Sequence, residues 1–116
     1  AHVLLGKELK KELFDVIAPQ AQAITVKVWN ASGRSKIAFR ATKFLRKRGF
    51  DVVDWDTYAI KQPATRVIDR TGELANAKKV AEVLGVSDFH SEINAKRMVD
   101  VEVVLGENFE LFGINE

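Results

Sequence analysis

The chain has no cysteine in its 116 residues, which removes disulfides, thiolate metal sites and thiol nucleophiles together. The compartment stays open, because an oxidising space demands no disulfide. Histidine is nearly as scarce: His2 and His90 stand far apart, without the His-x-x-x-His spacing of zinc sites. Ser32, Ser35, Ser87 and Ser91 have neither a nucleophile elbow nor an evident base, so hydrolytic catalysis is not expected. No apolar run approaches the ~20 residues that cross a bilayer. There is also no signal peptide, but the chain begins at Ala1-His2 without a methionine, as a processed or excised piece does. The location of the parent protein is therefore not readable from its start.

What is present is an ordinary globular composition, 47% apolar and 29% charged, in a length suited to one domain. The net charge of +2 hides an asymmetry. Residues 1–50 carry 11 Lys/Arg against 3 Asp/Glu, and residues 51–116 carry 7 against 13. A basic half of this kind points to an anionic partner, unless folding interleaves the two halves.

Most of the information lies between Ile24 and Phe50. Ile24, Val26 and Val28 alternate with Thr25, Lys27 and Trp29, the pattern of a strand with one buried face. A polar turn, Asn30-Ala31-Ser32-Gly33, follows, and Ser35 is placed to cap a helix. The helix stripe is Ile37, Ala38, Ala41, Phe44 and Leu45, with Gly49 as its stop. Phe50 to Trp55 reads as a second strand, which makes a β-α-β unit.

The flanking segments complete the plan. A helix is expected from about Gly6 to Ile17, ended by Pro19, with a linker after it. Asp56 to Pro63 reads as a loop, Thr65 to Ile68 as a third strand, and Glu73 to Leu84 as a second helix stopped by Gly85. Leu74, Ala77, Val80, Ala81 and Leu84 form its inward stripe. A short strand is expected near Phe89 to Ile93 and a firmer one over Val99 to Leu105, with a tail after Gly106. The expected fold is an α/β (α+β) two-layer sandwich: a mixed sheet of four to five strands, two helices on one face, and an N-terminal helix. The domain plan is 1–23 helix and linker, 24–109 α/β domain, 110–116 tail.

Candidate chemistry centres on charge. Arg34, Lys36, Arg40, Lys43, Arg46, Lys47 and Arg48 occur with no acid between Ala31 and Phe50. Lys36, Arg40, Lys43 and Lys47 follow i, i+4, i+7, i+11 and so share one helix face, suited to a phosphate-bearing polymer, nucleic acid or anionic lipid. The alternative is a solvated face whose last turn collects cations at the negative end of the macrodipole, which suits Arg46, Lys47 and Arg48. The turn residues Asn30, Ser32, Gly33, Arg34 and Ser35 offer backbone amides and a cation to an anion, or form only a turn and cap. No Walker-type loop is present. Asp51, Asp54 and Asp56 lack the spacing of a Ca²⁺ loop, so no metal and no cofactor is expected. Trp29, Trp55 and Tyr58 lie near the same strand ends, where stacking on a sugar or base competes with core packing.

Taken in order, Val26-Lys27-Val28-Trp29-Asn30-Ala31-Ser32-Gly33, Leu45-Arg46-Lys47-Arg48-Gly49-Phe50-Asp51-Val52-Val53, Thr65-Arg66-Val67-Ile68, Val83-Leu84-Gly85-Val86 and Val101-Glu102-Val103-Val104-Leu105-Gly106 carry a likeness. Over Ile24 to Phe109 the chain resembles the C-terminal domain of LytR-type proteins, the LytR cell envelope-related transcriptional attenuator domain. The resemblance implies a non-enzymatic, extracytoplasmic module of the bacterial envelope, normally following a membrane anchor and often attached to enzymes that transfer anionic glycopolymers to peptidoglycan. It supplies no catalytic residue. The expected function is binding of an anionic wall polymer or peptidoglycan through Arg34, Lys36, Arg40, Lys43 and Lys47. Protein–protein contact or self-association is the alternative, and nucleic-acid binding ranks below both for want of a helix-turn-helix.

Overall fold

Local periodicity produces the elements, and their burial shows why. The computed structural model describes residues 23–111. The helix expected over Gly6 to Ile17, its linker and the tail after Leu111 lie outside the described residues. Strand β1 (Thr25–Asn30) buries Val26 and Val28 completely, as its alternation requires. Helix α1 (Ile37–Lys47) buries Ile37, Ala38, Ala41 and Leu45, with Phe44 packed at the margin of the core. It ends when the Phe50 amide donates to the Leu45 carbonyl and the Gly49 amide to that of Arg46, with Gly49 at φ +91°. That pairing is a Schellman stop, and it turns the chain directly into β2 (Asp51–Thr57).

The second half repeats the plan. Strand β3 (Arg66–Asp69) leads into α2 (Leu74–Leu84), and a short β4 (Phe89–Ser91) follows. Helix α2 buries Ala77, Val80, Ala81 and Leu84. Leu74, expected to face inward, is 44% exposed, because it opens the helix one turn before the buried stripe begins. A 3₁₀ turn (Ala95–Arg97) precedes β5 (Val101–Leu105), all five residues of which are buried.

The sheet order is β2-β1-β5-β3-β4. Strand β1 runs parallel to both β2 and β5; β3 runs parallel to β4 and antiparallel to β5. Two parallel β-α-β units thus flank β5, which arrives last and closes the sheet between them. Helix α1 packs on β1 and β2, and α2 on β3 and β4. Both contribute to one core with Val52, Val67, Val101, Val103 and Leu105, so both cover the same face. The mixed sheet with two helices on one face matches the expected class. At the end of β5 a Cβ on Gly106 would come within 2.4 Å of the Ala64 carbonyl carbon, a backbone approach only glycine allows.

One irregularity re-aims a side chain. The β1–β2 register slips between Val26 and Lys27, so Lys27 faces Asp54 rather than Val53, and Val28 faces Trp55. Val53 is the extra residue of this bulge and is half exposed. Strict alternation from the buried Val52 would send Trp55 to the sheet face that Trp29 occupies. The bulge instead puts Trp55 on the helix side, against Phe39 of α1, with ring centroids 6.0 Å apart.

Candidate functional site

The strand-turn-helix joint builds itself from its own polar groups. Asn30 Oδ1 accepts from the Ser32 amide at 3.0 Å and from the Ser32 hydroxyl at 2.6 Å. Asn30 Nδ2 donates to the Arg34 carbonyl at 2.7 Å, and the Arg34 amide donates to Ser32 Oγ at 3.0 Å. The side chains of Asn30 and Ser32, both among the expected contacts, are therefore engaged in shaping the turn, and Ser32 is buried. Gly33 occupies φ +80°, and the stem of Lys61 passes close to its Cα. Arg34 reaches across to donate to the Phe109 carbonyl.

Ser35 does not cap the helix. The capping position is Lys36, at φ 66°, and no side chain bonds the first amides. The Lys36 carbonyl instead starts the helix by accepting from the Arg40 amide at 3.0 Å. A left-handed lysine places the turn one residue later than the serine pattern implies. With no acid in the first turn, the positive end of α1 is left uncompensated.

The cations divide into two groups. Arg46 donates through Nε and Nη2 to the Val52 carbonyl at 3.2 and 2.6 Å, and its guanidinium lies 5.2 Å from the Trp55 ring centroid. Arg48 lies 3.5 Å over the Phe44 ring. These two hold the end of the helix to its surroundings. Lys43 sits half-buried with Nζ 5.4 Å over Phe39. Lys36 and Lys47 are exposed and Arg40 half-exposed, and none of the three forms an ion pair with a described residue. Of the row expected on one helix face, Arg40, Lys43 and Lys47 lie in α1 and Lys36 sits at its cap. The sequence does not separate the roles of the cations, because the partners Val52 and Trp55 come from the next strand.

Two hollows open at the carboxyl ends of β1 and β2, the edge where ligands enter open α/β sheets. One, of about 270 Å³, is lined by Asn30, Lys36, Ala38, Trp55, Asp56 and Thr57. Its neighbour, of about 280 Å³, has Arg34, Ser35, Tyr58 and Lys61 on its walls, and shares Asn30 and Thr57 with the first. Lys61 was not foreseen: it arrives from the β2–β3 loop, and no local pattern marks a residue 28 positions from Gly33.

The other aromatic and acidic candidates belong to the opposite sheet face. Trp29 meets Tyr58 edge-on at 5.5 Å and packs with Ala31, Ile68 and Val104. Its indole N–H donates to Glu102 at 2.9 Å, so Trp29 serves packing. Asp54 bonds Lys27 at 2.6 Å, and that hydrogen bond draws its carboxyl below the usual range. His90 bonds Glu92 at 2.7 Å, which lowers the Glu92 carboxyl likewise. Among the described residues no three His, Asp or Glu side chains gather as a metal site.

A mixed five-stranded sheet backed by two helices, with cation-flanked hollows at its strand ends, defines a small α+β domain. The family model of the LytR cell envelope-related transcriptional attenuator matches residues 23–109, and the chain belongs to that family. It is a family of cell envelope-associated domains with regulatory or binding rather than catalytic roles. The fold is similar to the crystal structure of the soluble domain of a conserved hypothetical secreted protein, the Rv2700 ortholog of Mycobacterium marinum. That likeness has a TM-score of 0.55 at 19% identity and covers 85% of this chain and 74% of the other. The solution structure of the C-terminal domain of RV0431 is also similar, with a TM-score of 0.47 at 26% identity over 72% and 71% of the two chains. No functionally curated protein matches the chain significantly. Among the described residues no helix is long and apolar enough to cross a membrane.

Proposed function

We propose that the domain is a non-catalytic binding module of the bacterial cell envelope that contacts an anionic wall polymer or peptidoglycan. The observation that carries this reading is the unpaired row Lys36, Arg40 and Lys47 beside the uncompensated N-terminus of α1. Held on one helix and its cap, without acids, those charges attract a polyanion with little demand on its geometry. Lys43 lies on the same face, and Arg34 extends it past the turn. Family membership supports the envelope as the setting. On this reading the domain works outside the cytoplasmic membrane, carried by a parent protein anchored there.

The test is a titration of the purified domain against peptidoglycan with and without its attached anionic polymer, and against DNA, at low and high salt. Polymer-dependent binding that weakens with salt, and is abolished by Arg40→Glu with Lys47→Glu while the thermal midpoint holds, is the expected result. Equal affinity for DNA would move the site to nucleic acid. Binding to none of them, with a mass that rises with concentration, would replace the reading with self-association.

A further inference from the structure

The basic face has an aromatic shelf inside it. Phe39 and Trp55 are 44% and 38% exposed, whereas the core residues beneath them, such as Ala41 and Leu45, are fully covered. Trp55 is held in place by the β1–β2 bulge, by its contact with Phe39 and by the Arg46 guanidinium over its ring. An exposed indole fixed by three separate devices is a rigid platform, not a loose surface side chain. It lines the first hollow with Asp56, Thr57 and Lys36, side chains that exchange hydrogen bonds with hydroxyls, and with Asn30, whose side chain is taken up by the turn. Asp56 makes that hollow a poor seat for an anion, and a good acceptor for hydroxyl groups. At about 270 Å³ it is just under the range of small-molecule clefts and suits one ring-sized unit. The second hollow, across Asn30 and Thr57, carries the cations Arg34 and Lys61 instead.

The geometry points to a two-part subsite for a sugar-phosphate polymer: a sugar ring against Trp55 in the first hollow, and the adjoining phosphate in the second. The C–H face of a pyranose carries slight positive charge, which the negative face of the indole attracts, while its hydroxyls reach Asp56 and Thr57. The phosphate next along the chain lies toward Arg34 and Lys61, and the remaining repeats run along Lys36 and Arg40. This rests on the reading of the basic face as a polymer site and adds the requirement for a ring.

Three probes separate the two ideas: a polymer of N-acetylhexosamine units joined by phosphodiesters, polyphosphate of equal charge, and a neutral N-acetylglucosamine oligomer. Wild type should prefer the sugar-phosphate polymer to both others. Trp55→Ala should weaken that binding about tenfold, the loss expected for one stacked ring, and leave polyphosphate binding unchanged, while Trp55→Phe retains most of it. If Trp55→Ala unfolds by circular dichroism, the exposed Asp56→Leu carries the same test, weakening the sugar-phosphate polymer without weakening polyphosphate. Unchanged sugar-phosphate affinity in Trp55→Ala, with Arg40→Glu still abolishing it, would overturn the ring subsite and leave the basic face standing. No binding of any probe by wild type would overturn both.

Discussion

Arg70 Nε lies 2.7 Å from Glu102 Oε1, and among the described residues this is the one ion pair with both side chains at least nine-tenths covered. Glu102 comes from the central strand β5, and its second oxygen accepts from the Trp29 indole. Arg97 approaches the first oxygen at 3.3 Å, and Arg70 also donates to the Glu92 carbonyl at 2.9 Å. The pair ties β1, β3 and β5 together on the face away from the helices. Such a pair contributes little against an apolar substitute, but breaking it leaves a buried charge.

Arg70→Met should therefore destabilise the fold by about 3–5 kcal/mol, because Glu102 is left with weaker partners. The double variant with Glu102→Leu should recover most of the loss. Urea unfolding of the two single variants and the double variant measures this directly. A single-variant cost no greater than that of an exposed pair would show that the charge is not buried in solution.

Arg46 and Lys47 are neighbours in the sequence with opposite roles. Arg46→Ala removes two hydrogen bonds to Val52 and the cation over Trp55, and should cost about 1–3 kcal/mol. Lys47→Ala, exposed and without an ion pair among the described residues, should stay within about 0.5 kcal/mol. Thermal melts of the two variants compare them, and equal losses would contradict the division of the basic helix into holding and free charges.

Asp69 sets an acid limit on stability. Burial pushes its carboxyl up, but hydrogen bonds from Ser91, Thr71 and the backbone outweigh that and hold it below its ordinary 3.8. A group depressed in the folded state contributes stability above its unfolded value and loses it as pH falls through the folded one. The thermal midpoint should thus decline below about pH 4, and Asp69→Asn should flatten part of that decline while lowering the midpoint at neutral pH. Asp54 and Glu92 are also lowered, so some acid slope remains in the variant. A melt series from neutral to strongly acid pH gives the answer, and identical slopes for variant and wild type would remove Asp69 from the account.

The order of elements was legible because it depends on contacts close in sequence. Val26 and Val28 declare a strand, Ile37 to Leu45 an amphipathic helix, and Gly49 and Gly85 the two stops, all within a few residues of the groups they bond. The candidate site was legible only as a charge row. Ser35 looked like a cap because capping sequences are short and degenerate, whereas the left-handed Lys36 depends on how the turn folds around Asn30. Trp29 and Trp55 looked equivalent at two strand ends, and they face opposite ways.

The sequence by itself determined an α+β chain of two strand-helix-strand halves with a basic first helix, since hydrophobic period and charge are properties of neighbouring residues. Tertiary structure decided what those units do to each other. Placing β5 between them buried Glu102 and called for Arg70 from just beyond the end of β3, because a carboxylate inside a sheet must find its counter-charge at long range. Register decided the rest. One extra residue in β2 turned Trp55 toward the cations of α1, since a shift of one position in a strand moves the following side chains to the other face.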